Sequence, residues 1–191
     1  MSESLITKKA LASGLKELTR RTSFDKITIH DITEECGLNR QTFYYHFQDK
    51  YELLNWVYYS EAISIIIDDL NWDNWDQKVL LMLTRMKNEE YFYCNTLRLS
   101  AENEFREYLF RITAELFRHM MEGLAVDMSF SEQEKKFIAE FYAFGIVGVI
   151  ISWAQHDMKE APETISRQLK NVSIGTQKFA LSRSENSTEK K

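Results

Sequence analysis

Thr28-Ile29-His30-Asp31-Ile32-Thr33-Glu34-Glu35-Cys36-Gly37-Leu38-Asn39-Arg40-Gln41-Thr42-Phe43-Tyr44-Tyr45-His46-Phe47 decides the reading of this chain. Thr28 stands before Ile29 and Ile32, with Asp31 at the third helical position. That is close to a capping box, with Asp in place of the usual Glu or Gln. The helix it opens is short, because Gly37 follows Cys36 and glycine takes the positive φ that stops a helix. Leu38 returns to the core, and Asn39 is a good N-cap for a second helix over 40–46, barely two turns long. Asp49 caps the next helix, with Glu52 three residues on. Residues 28–47 therefore read helix, glycine turn, helix, the sequence form of a helix-turn-helix. A plain helical corner with an exposed polar face has the same spacing, so side-chain chemistry has to separate the two.

In the second helix Phe43 and Phe47 are four apart and can face the core together. Arg40, Gln41, Thr42, Tyr44, Tyr45 and His46 are left for the other faces. Arg can fork onto guanine O6 and N7, Gln onto adenine, and Thr can touch a thymine methyl or a phosphate. Tyr and His suit phosphate or sugar. A helix this short can point its positive N-terminal end into a major groove. Thr28 and Lys50 each sit at a helix start, where backbone N–H groups and a hydroxyl or ammonium can hold phosphates. With Asn39, these are the expected DNA-binding residues.

Outward from this stretch, Leu11, Leu15 and Leu18 fall at i, i+4 and i+7, with Lys8, Lys9, Lys16 and Arg20 off the stripe. This predicts an amphipathic helix over about residues 4–21. Downstream, residues 49–70 carry Leu54, Tyr58, Ala62, Ile65 and Asp69 in one stripe. A polar break over 71–76 holds Trp72 and Trp75. Residues 75–88 are rich in leucine and methionine, and Tyr91 to Leu99 is a short aromatic piece. Residues 102–122 set Phe105, Leu109, Ile112, Leu116 and Met120 in register before Gly123. Ser131 with Glu134 is a capping box that opens a long apolar helix to about His156. Pro162 suits the first position of a last helix, whose face is Ile165, Leu169, Val172 and Phe179. From Ser182 the chain is polar and low in complexity, and disorder is expected.

Composition agrees with helices throughout. One proline and six glycines in 191 residues are too few for a turn-dense all-β architecture, so the fold class is all-α. Two cysteines, Cys36 and Cys94, make no disulfide framework and fit a reduced, cytosolic setting. Met1 to Lys16 lacks the apolar core of a signal peptide, and the longest apolar run, Phe141 to Ile151, is too short to span a bilayer. Cytoplasm is the expected location, with no membrane partner. Residues 1–50 hold eight Lys/Arg against seven Asp/Glu, whereas the rest holds sixteen against twenty-two. The first fifty residues are thus the only part not clearly repelled by a polyanion.

Thr28-Ile29-His30-Asp31-Ile32, Cys36-Gly37-Leu38-Asn39 and Thr42-Phe43-Tyr44-Tyr45-His46-Phe47, with Lys50 and Leu53, resemble the N-terminal DNA-binding signature of TetR-family transcriptional regulators. The resemblance covers about residues 5–53, and the family's Thr-Phe-Tyr-x-His-Phe is intact. The chain departs from the pattern at Thr33 and Cys36, where alanine is usual, and at Asn39, where serine is. All three substitutes are small, and Asn caps as well as Ser. Gln41 and Tyr45 occupy variable positions, so no operator sequence follows. The resemblance implies an N-terminal three-helix helix-turn-helix domain (1–48), a C-terminal helical effector-binding and dimerisation domain (49–181) and a tail (182–191), with about nine helices. It implies double-stranded operator DNA, a second copy of the chain, and a small-molecule effector or a co-regulator protein as partners. Asn39 to Tyr51 also resembles the branch that regulates dihydroxyacetone kinase operons in Gram-positive bacteria. That implies activation, with the signal arriving through a partner protein; the alternative is a repressor released by a small ligand.

Phe137, Phe141, Phe144, Ile151 and Trp153 exceed what a surface helix needs, and Gly145 and Gly148 allow close approach of another helix. Burial within one subunit and a four-helix dimer seam explain them equally well. The family favours the seam, made by Phe137, Phe141, Phe144, Gly145 and Gly148 with Ile165, Leu169 and Val172. Trp56, Tyr91, Phe92, Tyr93, Cys94, Arg98, His119 and Trp153 are the candidates for an aromatic effector pocket with a few polar handles. Aromatics at helical spacing fit plain core as well.

Catalytic signals are poor. His30, His46, His119 and His156 are scattered, with no pair at metal-ligand spacing. No phosphate-binding glycine loop or nucleophile elbow is present, so neither a catalytic residue nor a cofactor or metal is expected. The rival reading from another class is a helical adaptor that binds protein partners through its acidic body.

Overall fold

In the computed structural model the described residues are 3–98, 103–123 and 131–173, and among them all regular structure is helical. The first three helices are α1 (Glu3–Thr19), α2 (Ile29–Glu35) and α3 (Arg40–His46). Next, α4 (Lys50–Tyr58) runs through a π segment (Tyr59–Ile63) into α5 (Ser64–Ile67) as one rod. The remainder is α6 (Trp75–Asn88), α7 (Glu90–Arg98), α8 (Asn103–Gly123) and α9 (Glu132–Gln155). The described part of α10 spans residues 162–173, opening at Pro162. The expected tail 182–191 and Phe179 lie outside the described residues.

The predicted starts hold at the level of single hydrogen bonds. Thr28 accepts from the Asp31 amide while the Asp31 carboxylate accepts from Thr28 N, so aspartate completes the capping box. Asn39 caps α3 and Asp49 caps α4. Ser131 and Glu134 form the box that opens α9. Gly37 ends α2 at φ 65°, in the left-handed region where a Cβ is penalised.

α1, α2 and α3 pack together over Leu11, Leu15, Ile32, Phe43 and Phe47. α1 and α2 come so close at Gly14 that an added Cβ would run into Sγ of Cys36, a thiol that donates to Ala10 O at 3.1 Å. The same apolar core continues without a break through Leu53, Tyr58, Leu83, Phe92 and Leu109 to Ile165.

The rod departs from the even stripe read in the sequence. Leu54, Tyr58 and Ala62 are buried as expected, but after them Ile63 and Ile66 are buried while Ile65 is only half-buried. The π segment is the cause: its wider turn absorbs one more residue and moves the inward register on by one. The rod stops where Asp69 turns left-handed at φ 59°, its carbonyl held by the amides of Asn71 and Asn74.

α9 is longer than the apolar run at its centre. Its 24 residues are long and apolar enough to cross a membrane by length and composition. Ala139, Tyr142, Ala143, Ile146, Val147 and Ile151 are nevertheless buried, and α9 packs on α7 and α8, as the core helix of a folded domain does. Its far end turns through two left-handed residues, Asp157 (φ 61°) and Met158 (φ 47°). Complete burial of Met158, its amide bond to Trp153 O at 2.9 Å and the Arg98–Asp157 ion pair hold that turn.

Candidate nucleic-acid interface

α3 is anchored from beneath and bare on top. Phe43 and Phe47 are buried, their rings 5.9 Å apart, and they fix the helix axis. Arg40, Gln41, Tyr44 and Tyr45 are exposed, and Thr42 and His46 are half-buried. The ring of Tyr45 is 83% exposed and meets His46 edge-on at 4.9 Å. A tyrosine left in water on so small a helix is a surface without a partner in this protomer.

The cap residues hold their own backbone. Asn39 Oδ1 accepts from Thr42 N at 2.8 Å and from Thr42 Oγ1 at 3.1 Å. Thr28 Oγ1 donates to the Asp31 carboxylate at 2.8 Å. Bonds from the Thr28 amide and hydroxyl hold the Asp31 carboxyl below its ordinary range. Thr28 and Thr42 keep acceptor lone pairs, but each hydroxyl proton is already engaged.

Lys50 differs from expectation. Its ammonium donates to Phe24 O at 2.9 Å, Asp25 O at 2.8 Å and Ile27 O at 2.9 Å. An ammonium has three protons, and all three serve the turn between α1 and α2. Lys50 is a clamp inside the helix-turn-helix in this conformation, not a charge offered to phosphate. The start of α1 also borders this face. Glu3, Ser4 and Thr7 line a shallow depression with Asn39, Gln41, Thr42, Tyr45 and His46. The signal available for them was the extent of the family resemblance, which begins on α1.

Of the effector-pocket candidates only Tyr91, Cys94 and Arg98 share a groove; the rest are scattered. Trp56 packs on Phe47, with ring centroids 6.1 Å apart. Phe92 and Tyr93 are fully buried packing against Tyr58. Tyr91, Cys94 and Arg98 lie along an open groove with Arg20, whose guanidinium is 3.7 Å from the Tyr91 ring centre. His119 is exposed, and Trp153 donates to Glu160 O at 2.9 Å. Burial pushes the Cys94 and Cys36 thiols up, so both stay protonated. The aromatic face of α7 therefore packs against the rod and does not line a cavity.

An internal cavity of about 80 Å³ lies elsewhere, between the rod, α6, α8 and α9. Ala62, Ile63, Ile66, Met82, Met86, Met120 and Ile150 are among its walls. Its two hydroxyls are engaged: Tyr58 with Thr96 at 2.7 Å, and Thr113 with Leu109 O at 2.8 Å. It is lined for something small and apolar; a cavity of about 150 Å³ is what holds benzene. The methionines were the available signal, since flexible thioethers fill irregular gaps.

The seam candidates divide. Phe137, Phe141 and Phe144 are 68%, 62% and 59% exposed, and Val172 is exposed as well. Gly145 and Gly148 have open space where a side chain would be. Ile151 and Trp153 are buried in the protomer, and so is Ile165. Ile165 therefore belongs to the protomer core and not to an outer seam, because α10 turns that side inward. Leu169 is half-buried against the same core. Among the described residues, no group of three His, Cys, Asp or Glu is set to hold a metal.

Residues 13–57 match the family described as bacterial regulatory proteins, tetR family. Residues 73–175, more than half of the chain, match the TetR family's transcriptional regulator C-terminal region. The chain belongs to the TetR family. It is a DNA-binding transcriptional regulator. The regulator is similar to the HTH-type dhaKLM operon transcriptional activator DhaS of Lactococcus lactis subsp. lactis, with 27% identity over 155 residues, covering 78% of this chain and 80% of that one. Among solved structures, a dihydroxyacetone kinase operon activator DhaS shares its fold at a TM-score of 0.70, with 23% identity over 92% of this chain and 98% of that one. NalD of Pseudomonas aeruginosa, described as the secondary repressor of the MexAB-OprM multidrug efflux pump, shares it at 0.55, with 15% identity over 87% and 94%.

Proposed function

We propose that the regulator binds a near-palindromic operator as a homodimer, activates transcription as DhaS does, and takes its signal at the surface of the body. Residues 1–48 form the reading head and 49–181 the body. The observation that carries this reading is the outward face of α3, where Arg40 and Gln41 stand exposed beside Tyr44 and Tyr45. Arg40 and Gln41 read base edges in the major groove. Asn39, Tyr44, Tyr45 and His46 meet phosphate and sugar, and Thr28 and Thr42 do so by turning their hydroxyl protons from Asp31 and Asn39 to phosphate, contacts that set register without reading sequence. Lys50 shapes the head from inside. Phe137, Phe141, Phe144, Gly145, Gly148 and Val172 meet the same residues of a second copy, an isologous seam that sets two α3 helices on successive grooves.

The small cavity with engaged hydroxyls favours a co-regulator protein over a drug-sized effector. The second reading, a repressor released by a small apolar ligand, rests on that cavity opening further. No step of either reading involves catalysis or a cofactor, and both place the chain in the cytoplasm with its operator.

Selection of bound duplexes from a random DNA pool, with Arg40→Ala alongside, tests the core of this. A palindromic consensus that the variant relaxes at one base pair in each half is the expected result. No enrichment by the wild-type protein, alone or in cell extract, overturns it. Placing the consensus upstream of a reporter then separates activation from repression.

A further inference from the structure

α7 stands between the reading head and the end of α9, and it holds both. On one side Asn95 engages its whole carboxamide with the head: Nδ2 donates to Thr19 O at 2.8 Å and to Thr22 O at 2.9 Å, and Oδ1 accepts from Phe24 N at 2.9 Å. One turn on, Arg98 donates to Ala154 O at 3.3 Å and pairs with Asp157 in the left-handed turn after α9. The segment that Asn95 grips, residues 19–24, is the turn whose following carbonyls Lys50 clamps from the α4 side. The head's entry turn is thus tied to the body at a point far in sequence from the rod that joins them covalently.

We propose that Asn95 is a positioning residue for operator recognition: it fixes the angle of the reading head against the body, and thereby the half-site spacing that the dimer accepts. The rod alone leaves the head one covalent attachment, about which it can swing. The Asn95 bonds add an attachment from α7, beside the Lys16 ion pairs to Glu61 and Glu89, and restrict that swing. Arg98 transmits the constraint to α9, the helix of the proposed seam, so the two heads of a dimer hold a set separation. Each base pair added between half-sites moves one of them about 3.4 Å along and about 35° around the duplex, so a small swing of the head changes the spacing that fits. The inference rests on the dimeric reading above.

The test uses the full chain and the half-site found by selection from the random pool. Duplexes carry two copies of that half-site, with the spacer varied one base pair at a time. The wild-type protein is expected to prefer one spacer by roughly tenfold, within the usual range of coupling between sites. Asn95→Ala and Asn95→Asp are both expected to flatten that preference to about twofold, with the preferred bases inside each half-site unchanged. The aspartate variant matters because it fills the same volume. A role in packing alone predicts wild-type spacing for it, whereas the staple predicts failure, since a carboxylate cannot donate to the Thr19 and Thr22 carbonyls. A sharp spacer preference in Asn95→Asp overturns the proposal. Wild-type enrichment of single half-sites with no fixed spacing overturns the dimeric reading, and the proposal with it. If both Asn95 variants lose their helical circular dichroism, Arg20→Gln decides, because it removes the Tyr91 contact at the same junction from an exposed position. A broadened profile supports the proposal and an unchanged one overturns it.

Discussion

α3 and α9 both leave large side chains in water, and they do so with opposite chemistry. On α3 the exposed rings are Tyr44 and Tyr45, flanked by Arg40 and Gln41, each with a group that water can satisfy. On α9 they are Phe137, Phe141 and Phe144, which have no such group. A polar aromatic face loses little by waiting in solvent and can exchange water for a polyanion and back. A bare phenylalanine face gains only by burial, at about 1.5–3 kcal/mol for each ring fully covered. The first suits a partner that comes and goes, and the second a partner that stays.

The contrast breaks most visibly at Phe141. Phe141→Glu sets an unpaired carboxylate in each half of the seam and is expected to weaken association by about 3–5 kcal/mol. Sedimentation then shows a monomer with unchanged helical content, because Phe141 touches little of its own core. A persisting dimer places the seam on another face.

Lys50→Met is next, and it sharpens the inside of the head. Losing the ammonium from three carbonyls is expected to lower unfolding stability by about 2–3 kcal/mol, measured by denaturant titration. The salt dependence of DNA binding should keep its slope, because no phosphate contact is lost. A flatter slope returns Lys50 to the duplex.

Arg40→Ala probes the outer face itself. Its expected cost is about 1–3 kcal/mol on the best operator and little on others, read from binding to single-base variants of the site. Equal loss on every sequence makes Arg40 a phosphate contact.

Two glycines make a finer comparison. Gly37→Ala should destabilise the head by about 1–2 kcal/mol, since its φ of 65° penalises a Cβ even where space is open. Gly145→Ala should raise the stability of a protomer by up to about 1 kcal/mol through helix propensity, while weakening the dimer. Thermal melts at several protein concentrations separate the two effects.

The smallest effect is alkaline. Lys16 bonds Glu61 at 2.7 Å and Glu89 at 2.9 Å. Burial lowers its pKa, but those two carboxylates outweigh it and leave the value above 10.5. A raised lysine contributes its full stability below its unfolded pKa and loses it as pH rises through the folded one. The stability gap between wild type and Lys16→Met should therefore be constant near neutrality and narrow above about pH 10.5. A gap that closes already at pH 8 assigns the effect to packing of the lysine stem.

The head was legible because its signals are local. A cap, a glycine and a second cap lie within twelve residues, and each is a bond between near neighbours: Thr28 with Asp31, Gly37 in its turn, Asn39 with Thr42. The role of Lys50 was not legible, since its three carbonyls lie 23 to 26 residues back in the chain. Which of the effector-pocket candidates share a space was not legible for a related reason. Aromatic content marks α7 as buried, but whether a buried ring meets a cavity or another ring depends on helices elsewhere in sequence. For the proposed seam, apolar excess marked α9 and α10, while α7 and α8 set which side of α9 faces its own core and Asp76 of α6 holds α10 through Ser166 and Lys170. The slip from Ile65 to Ile66 came from a π segment that no periodicity count anticipates.

Gly14 and Cys36 occupy one volume between them. Where the family usually has alanine at position 36, this chain has a side chain one heavy atom larger, and the room for its sulfur is the Cβ that position 14 lacks. The two sites are therefore coupled: with a sulfur at 36, any residue larger than glycine at 14 clashes, whereas alanine at 36 would leave that volume free.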